Sequence, residues 1–503
     1  MARGGTLSVA GFVVSGVLGF VLTIVVTREL GGSGAGVFFS AVAVFTILTH
    51  VTKFGADTGV VRFVSAFRAQ GRRADVAPVI RVALVPALAA GTLGAVASVL
   101  LADQTAAVFA RDRTDDVASF LRLLGPFLPF ATVTAVWIAA TRGFGSMRPF
   151  VAIESVGKPA LKPALILAFG LGGLTTGEVA LGWALPEAIG CIAAYAALAA
   201  LLRAEPAPAD PPARPIAELA SEFWRFAAPR GVAAAFQVSV FWVDVLLLGR
   251  YRDSVEVGVY AAASRVAMVG TFALQAIRVA IAPQISSLLA RDDRRAAQVV
   301  YQTATWWLMA VSWPVFVGLA VFAPFVLSVF GPGFEVGSTA LIILAIAMLV
   351  NLGTGNVTVV LLMGGKSSWN LVNTAVAITV NVGLNVALIP RHGMEGAAVA
   401  WACTIVVENL MALVEVWVFL RMRPFGPGYV PVAGAAIVCV GGVSLLARAL
   451  AGGGAAGLVL ATVVAAPLYG AVLFRMRRRL HLDTFLASLR RRPGEPPGEQ
   501  ADA

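Results

Sequence analysis

Three ionisable side chains recur at helical spacing inside a strongly apolar stretch of the sequence. Glu154, Lys158 and Lys162 follow one another at intervals of four residues, which places all three on one face of a helix. A proline follows each lysine, so we expect this helix to be kinked and partly unwound. A charge at the bilayer centre costs about 2.5–3.5 kcal/mol on insertion scales and normally faces a cavity or a partner. The spacing predicts a cationic face on a cavity or, as the alternative, a structural pair with an acid of another helix such as Glu187.

Charged residues in the next apolar stretches leave similar alternatives. Arg230 follows a proline within an apolar run, where it either faces a cavity or extends towards the membrane surface. Asp244 and Arg265 fall at similar depth on two consecutive, antiparallel predicted helices. We expect these two residues to form a structural salt bridge.

Carboxamides recur in a later stretch. Four asparagines lie within about 120° of one another at about 100° per residue, and two glutamates share a face of the following predicted helix. Carboxamides bind sugar hydroxyls, but they also join helices through hydrogen bonds worth about 0.6 kcal/mol each, and we favour helix packing. For the glutamates the alternatives are proton or cation coupling and structural pairing, and we favour pairing. The residues are Asn370, Asn373, Asn381, Asn385, Glu408 and Glu415.

The elements that carry these side chains are predicted to be membrane helices. The 503 residues are 59% hydrophobic and 13% charged, with a mean hydropathy of +0.86, whereas soluble proteins are about 25% charged. This composition excludes an ordinary water-soluble multidomain enzyme. The net charge of +11 lies mainly in short loops, so we expect no nucleic-acid partner. The three cysteines and three histidines show neither a disulfide nor a zinc spacing, and we expect no metal ion or cofactor.

The apolar runs predict an all-α polytopic membrane protein with about 14 transmembrane helices, since each crossing needs about 20 residues. Most of the 38 Lys and Arg residues fall in alternate loops and in the terminal segments, which predicts that both termini are cytoplasmic. The predicted helices are 8–27, 34–53, 79–102, 119–141, 149–170, 177–202, 222–249, 257–282, 299–328, 337–362, 367–390, 395–420, 428–449 and 455–474.

Two parts of the chain resemble each other weakly at a nearly constant offset. Gly36-Val37-Phe38 corresponds to Gly258-Val259-Tyr260, and Ala180-Leu181-Gly182-Trp183-Ala184 corresponds to Ala398-Val399-Ala400-Trp401-Ala402. Six predicted helices per repeat make the repeats parallel, related by a pseudo-two-fold axis along the membrane normal. Two such lobes enclose a central cavity, and rocking them gives alternating access, which is typical of a transporter.

The predicted domains follow from this repeat and from a proline-rich stretch between its halves. They are an N-terminal six-helix lobe (1–202), a Pro-rich cytoplasmic linker (203–221), a C-terminal six-helix lobe (222–425), an additional pair of helices 13 and 14 (426–475), and a cytoplasmic tail that is basic and then disordered (476–503).

Several segments resemble the polysaccharide transporter branch, the O-antigen and oligosaccharide flippases, of the multidrug/oligosaccharidyl-lipid/polysaccharide (MOP) exporter superfamily. The resemblance covers roughly residues 5–425, and its motifs identify the superfamily better than a substrate. The segments are Arg28-Glu29-Leu30-Gly31, Gly36-Val37-Phe38, Phe54-Gly55-Ala56-Asp57-Thr58, Val61-Arg62-Phe63, Pro314, Phe330-Gly331-Pro332-Gly333-Phe334, Ile343-Leu344-Ala345, Leu388-Ile389-Pro390, Gly393 and Gly396-Ala397-Ala398.

The resemblance implies a flippase that moves a polyprenyl-diphosphate-linked oligosaccharide across the bacterial plasma membrane for cell-surface polysaccharide biosynthesis. The substrate's two or so negative charges need cations with many donors. Our hypothesis is that Lys158, Lys162 and Arg230 hold the diphosphate, while Glu154, the asparagines and Glu408 are cavity or coupling residues. The implied partners are the lipid-linked substrate, membrane lipids and polysaccharide assembly enzymes, and a monomer suffices.

Two other functions remain as alternatives. A multidrug exporter of the same superfamily typically carries an acid in its first helix, whereas residues 8–27 contain none. A membrane glycosyltransferase or polymerase needs catalytic groups at the membrane surface, and the longest predicted outer loop, about 103–118, contains four aspartates. We favour a solvated loop there and expect a transporter without enzymatic activity.

Overall fold

The computed structural model describes residues 2–169, 176–205 and 214–476. Within these ranges the chain forms helices and no β-strand. The α-helices are α1 (Ala2–Lys53), α2 (Ala56–Ala69), α3 (Val76–Leu100), α4 (Ala102–Phe109), α5 (Thr114–Leu124), α6 (Leu128–Gly143), α7 (Lys158–Phe169), α8 (Thr176–Ala204), α9 (Ile216–Tyr251), α10 (Ser254–Ala267), α11 (Val269–Ala290), α12 (Arg294–Val321), α13 (Ala323–Ser328), α14 (Ser338–Gly353), α15 (Val357–Met363), α16 (Ser367–Leu420), α17 (Tyr429–Ala435), α18 (Val443–Ala451) and α19 (Ala455–Arg475). Two π-helices, Phe150–Gly157 and Ala436–Gly442, precede α7 and α18.

Eleven helical stretches of the described chain are long and apolar enough to cross a membrane, so the protein is a multi-pass membrane protein. Two of the stretches account for two crossings each. Helices α1 and α16 have 52 and 54 residues, which at about 1.5 Å per residue is more than twice the bilayer core of about 30 Å. Each contains a glycine with non-helical backbone, Gly31 in α1 and Gly393 in α16.

Both long helices fold back at these glycines. In α16 the rings of Trp369 and Phe419, from opposite ends of the helix, lie 5.3 Å apart. In α1 the ring of Phe12, in the first half of the helix, contacts Phe150. Phe150 also lines one cavity together with Lys53, the last residue of α1. The eleven stretches, two of which cross twice, and the helical segment 150–169 together give each predicted helix a counterpart. The predicted all-α fold is therefore confirmed.

Two predicted connecting segments are partly helical in the structure. The predicted outer loop 103–118 is mostly helical. Three of its four aspartates, Asp103, Asp115 and Asp116, lie in the first turns of α4 and α5, where a helix dipole favours negative charge. The predicted linker 203–221 is shorter, since α8 continues to Ala204 and α9 begins at Ile216. Residues 170–175, the linker segment 206–213 and the tail 477–503 lie outside the described ranges.

The two repeated sequence segments pack against each other where α1 crosses α10. A Cβ atom added at Gly36 would overlap the carbonyl oxygen of Ser254, and one added at Gly258 would overlap the carbonyl oxygen of Gly32. The hydroxyls of Ser33 and Ser254 lie 2.7 Å apart at the same crossing. The contacts are reciprocal at the repeat offset, as expected for elements next to a pseudo-two-fold axis between the two halves. We call this side of the bundle the Gly31 end.

The halves also meet at the opposite side, which we call the Lys53 end. The second half of α1 runs from Gly32 to Lys53, about 33 Å at about 1.5 Å per residue. Just beyond it, the backbone of Gly55 lies so close to that of Gly231 in α9 that a Cβ atom at either glycine would overlap the other chain segment. The ring of Phe63 in α2 packs 5.5 Å from that of Phe223 in α9. This conformation therefore has contacts between the halves at both ends.

Candidate functional site

The candidate site is a cavity of about 450 Å³ within the N-terminal half of the chain. Its walls come from the second half of α1, the start of α2, α6, the π-helix Phe150–Gly157, α7 and α8. Its lining combines apolar and aromatic side chains with a dense set of charges. The ionisable lining residues are His50, Lys53, Asp57, Arg142, Glu154, Lys158, Lys162 and Glu187.

The π-helix positions the three residues predicted to share a helical face. The backbone N–H of Lys158 donates to the carbonyl of Ile153, five residues earlier, as in a π-turn. Pro159 has no N–H to continue the α-helical pattern. The wider turn agrees with the partly unwound helix that the prolines predict. It still leaves Glu154 and Lys158 in contact, with Oε1 and Nζ 2.8 Å apart.

Both lysines face the cavity, and both are paired with the same acid on α8. Lys158 Nζ lies 2.7 Å from Glu187 Oε2, and Lys162 Nζ lies 2.9 Å from Glu187 Oε1. Lys162 also lies over the ring of Trp183, 3.8 Å from its centroid. Glu187 and Lys158 are only 5% and 8% exposed. The two alternatives drawn from the sequence, a cavity-facing cationic face and a structural pair with Glu187, therefore coexist in this conformation.

Arg142 is a cavity residue that the sequence reasoning missed. It lies in the last turn of α6, with its guanidinium carbon 5.3 Å from the ring centroid of Phe150. Its buried Nε has no hydrogen-bond partner among the described residues. The prediction ended the helix at residue 141 and assigned Arg142 to a loop, whereas α6 continues to Gly143. An apolar run that ends on an arginine was the available signal.

The charges of the cavity nearly cancel. Its described lining contains four cations (Lys53, Arg142, Lys158 and Lys162) and three carboxylates (Asp57, Glu154 and Glu187), which leaves one net positive charge with a neutral His50. Lys53 pairs with Asp57 at 2.9 Å. The cavity is therefore less cationic than the lysines alone predict, because acids from α2 and α8 also face it.

Arg230 is not brought together with the two lysines. It lies on α9 with an exposed side chain, its guanidinium carbon 3.7 Å from the ring centroid of Phe226. Arg62 of α2 lies 4.0 Å from the same centroid. Arg230 thus belongs to the contact between α2 and α9 at the Lys53 end.

The predicted salt bridge between Asp244 and Arg265 is wrong. The carboxylate of Asp244 instead accepts hydrogen bonds from Tyr260 Oη, at 3.1 Å, and Asn385 Nδ2, at 2.7 Å. Arg265 lies over the ring of Trp242, 4.0 Å from its centroid. Tyr260 and Arg265 project about 140° apart on α10 at about 100° per residue. The face of α10 that meets Asp244 therefore presents the tyrosine.

Two of the asparagines of α16 join helices. Asn385 contacts Asp244 of α9, and Asn373 Nδ2 donates to Glu415 Oε2 at 2.7 Å across the fold of α16. Asn381 is fully buried. Glu408 lines a separate cavity of about 90 Å³, away from the lysines. The backbone carbonyl of Asn370 accepts a hydrogen bond from Thr374.

The fold is similar to that of solved membrane transporters. A solved structure titled lipid II flippase MurJ, inward closed conformation, superposes with a TM-score of 0.72, covering 94% of this chain and 99% of that chain at 14% identity. An inward-facing multidrug resistance MATE family transporter of the MOP superfamily superposes with a TM-score of 0.62, covering 84% and 95% at 15% identity. The chain has the fold of MOP-superfamily transporters.

The sequence profile of the polysaccharide biosynthesis protein family matches residues 1–289, more than half of the chain, and the chain belongs to that family. The MatE profile matches residues 229–387. The chain is 30% identical over 174 residues to the probable low-salt glycan biosynthesis flippase Agl15 of Haloferax volcanii, covering 34% of this chain and 36% of the relative. It is 26% identical over 182 residues to the probable flippase AglR of the same organism, covering 35% and 38%. These matches span little more than a third of each relative's length.

Proposed function

We propose that this protein is a flippase that moves a polyprenyl-diphosphate-linked oligosaccharide across the plasma membrane for cell-surface polysaccharide biosynthesis. Its two halves rock about their contacts and expose the cavity to each side in turn. The observation that carries the proposal is the cavity itself, which places Arg142, Lys158 and Lys162 around one space in a membrane transporter fold.

The chemistry of these cations suits a diphosphate. Ammonium and guanidinium groups make short, charge-assisted hydrogen bonds to phosphate oxygens. Arg142 offers an N–H that has no hydrogen-bond partner in the described part of the chain, and each lysine has three donors. A diphosphate at the two lysines would lie near the aromatic side chain of Trp183, which gives an attached sugar an apolar face to pack on.

Drug export is supported less well by the same cavity. A cationic drug would meet a lining whose four cations outnumber its three carboxylates. Each described acid of the cavity has a lysine within 3 Å: Asp57 has Lys53, while Glu154 and Glu187 have Lys158.

The remaining parts of the proposal follow the charge distribution and the repeat. Basic residues concentrated in the terminal segments and alternate loops support cytoplasmic termini. Two halves in one chain make a monomer sufficient for alternating access. Partners beyond the substrate and membrane lipids would be the enzymes that assemble and polymerise the oligosaccharide.

The test is a flipping assay in proteoliposomes. A fluorescent polyprenyl-diphosphate oligosaccharide is placed in the inner leaflet, and its appearance outside is timed for wild type and for Lys158→Gln/Lys162→Gln/Glu187→Gln. The triple substitution removes the bridging acid with the lysines, so that no buried carboxylate is left without a partner. Lys366→Ala, at the start of α16 beside Phe419, is the matched control. We expect wild type and the control to flip the lipid and the triple variant to lose most activity. Wild-type rates in a folded triple variant would contradict the proposal.

A further inference from the structure

The carboxylate of Glu187 binds both lysines as an anionic ligand would. Each of its oxygens contacts one ammonium group, Oε2 that of Lys158 and Oε1 that of Lys162. A phosphate group also presents two oxygens that can bridge a pair of ammonium groups. Glu187 comes from α8, whereas the lysines come from α7, so their bonds cross between two helices rather than follow one helix.

While Glu187 stays in place, the positive charges of the two lysines are neutralised and do not attract a second anion. Lys158 contacts Glu154 as well as Glu187, so the two lysines and two carboxylates form a neutral group of four. A diphosphate brought to this group would meet cations that are already neutralised and a carboxylate that repels it. Repulsion between like charges is strong where little water screens it, and Glu187 is 5% exposed.

We propose that Glu187 is a resident counter-anion, which the diphosphate of the substrate displaces from Lys158 and Lys162 and which returns to them when the substrate leaves. This inference rests on the proposed function. Glutamate reaches alternative positions by rotation about its side-chain bonds, so the exchange needs no backbone movement in α8. Competition from Glu187 weakens substrate binding and thereby allows release on the far side of the membrane.

Glu187 rather than Glu154 is assigned this role because of geometry. Within the described ranges Glu154 contacts a single lysine, on the same helical face, and its side chain is 29% exposed. Glu187 contacts both lysines, and its side chain is 6% exposed. Removing the charge of Glu187 frees a donor on each lysine, whereas removing that of Glu154 frees a donor on Lys158 alone.

The binding experiment uses the purified full-length protein and inorganic pyrophosphate as the probe, with calorimetry as the readout. We expect Glu187→Gln to tighten pyrophosphate binding about tenfold or more, since two charge-assisted bonds no longer have to be broken. Glu154→Gln should tighten it by less. Glu187→Asp keeps the charge but is too short to bridge both lysines, so an intermediate gain is expected. Glu335→Gln, on an exposed residue of the C-terminal half, is the control.

The flipping assay supplies a second readout that a purely structural role would not move. With Glu187→Gln, the KM and the kcat for the lipid-linked substrate should both fall, because binding is tighter and release is slower. A structural role predicts a lower thermal stability with no gain in affinity, and that result would overturn the inference. If Glu187→Gln does not fold, Glu187→Asp answers the same question.

The outcomes separate this inference from the proposed function. Pyrophosphate binding that requires the lysines but is unchanged in both Glu187 variants overturns the counter-anion role and leaves the flippase proposal standing. If pyrophosphate binding is unchanged when the lysines are replaced, the counter-anion role and the flippase proposal are both overturned. Tighter binding in Glu187→Gln together with slower flipping supports both.

Discussion

The glycine crossing at the Gly31 end should decide which conformation the protein adopts. In Gly36→Ala the new Cβ atom would overlap the backbone carbonyl of Ser254, which cannot turn away as a side chain could. Overpacking of this kind costs about 1–3 kcal/mol, a factor of about 5–150 in the population of this conformation. Transporter conformations differ by only a few kcal/mol. The substitution should therefore shift the protein towards a conformation in which α1 and α10 have separated.

Pulsed electron paramagnetic resonance measures this shift. Spin labels at Val108 in α4 and Val336, before α14, are both on exposed positions of the Gly31 end, 51% and 61% exposed, in different halves of the chain. The labels are attached to cysteines in a background without the three native ones. Gly36→Ala should add or enlarge a population with a longer distance between the labels.

The matched control is Gly19→Ala in the same helix, where no described atom beyond the neighbouring residues and helix backbone lies within 4 Å of the added Cβ. It should give the wild-type distance distribution. Gly258→Ala, which meets the carbonyl of Gly32 across the same crossing, should act like Gly36→Ala. Identical distributions for all four proteins would refute the view that this crossing closes one end of the transporter.

Three further predictions follow from single contacts. A disulfide in Ser33→Cys/Ser254→Cys, whose hydroxyls are 2.7 Å apart, should hold the crossing closed and stop flipping until a reductant is added; full activity of the oxidised protein would contradict alternating access. Asp244→Ala leaves two buried donors unpaired and should lower the free energy of unfolding by about 2–4 kcal/mol. The melting temperature in detergent should fall, and an unchanged melting temperature would contradict this prediction. Arg142→Ala should weaken pyrophosphate binding several-fold while Arg142→Lys restores part of it, and equal affinities in all three proteins would exclude Arg142 from the site.

Much of the fold was predictable because the bilayer imposes a simple requirement on the sequence. Each crossing needs about 20 apolar residues, so hydropathy finds the helices. The predicted breaks at 28–33 and 391–394 contain Gly31 and Gly393, whose non-helical backbone turns the two long helices back. Three of the four aspartates in the predicted loop 103–118 instead lie in the first turns of two helices.

The candidate site was predictable only where the helical period alone determines the neighbours. The spacing of Glu154, Lys158 and Lys162 predicts a shared face, and the structure has it. Pairing between helices depends on how each helix is rotated about its axis, which the sequence does not specify. For that reason the expected partner of Asp244 was wrong. Arg142 was missed because a helix end moved by only two residues brings it into the cavity.

The central claim is that the cavity recognises a diphosphate. The most direct measurement changes only the number of phosphates that join the lipid to the sugar. Initial flipping rates of wild-type protein are compared for two lipids with the same polyprenyl chain and the same sugar, one joined by a diphosphate and the other by a monophosphate. The account predicts a clearly higher rate and apparent affinity for the diphosphate lipid, and loss of that difference in the triple variant at Lys158, Lys162 and Glu187. Equal rates for both lipids in wild type would contradict it.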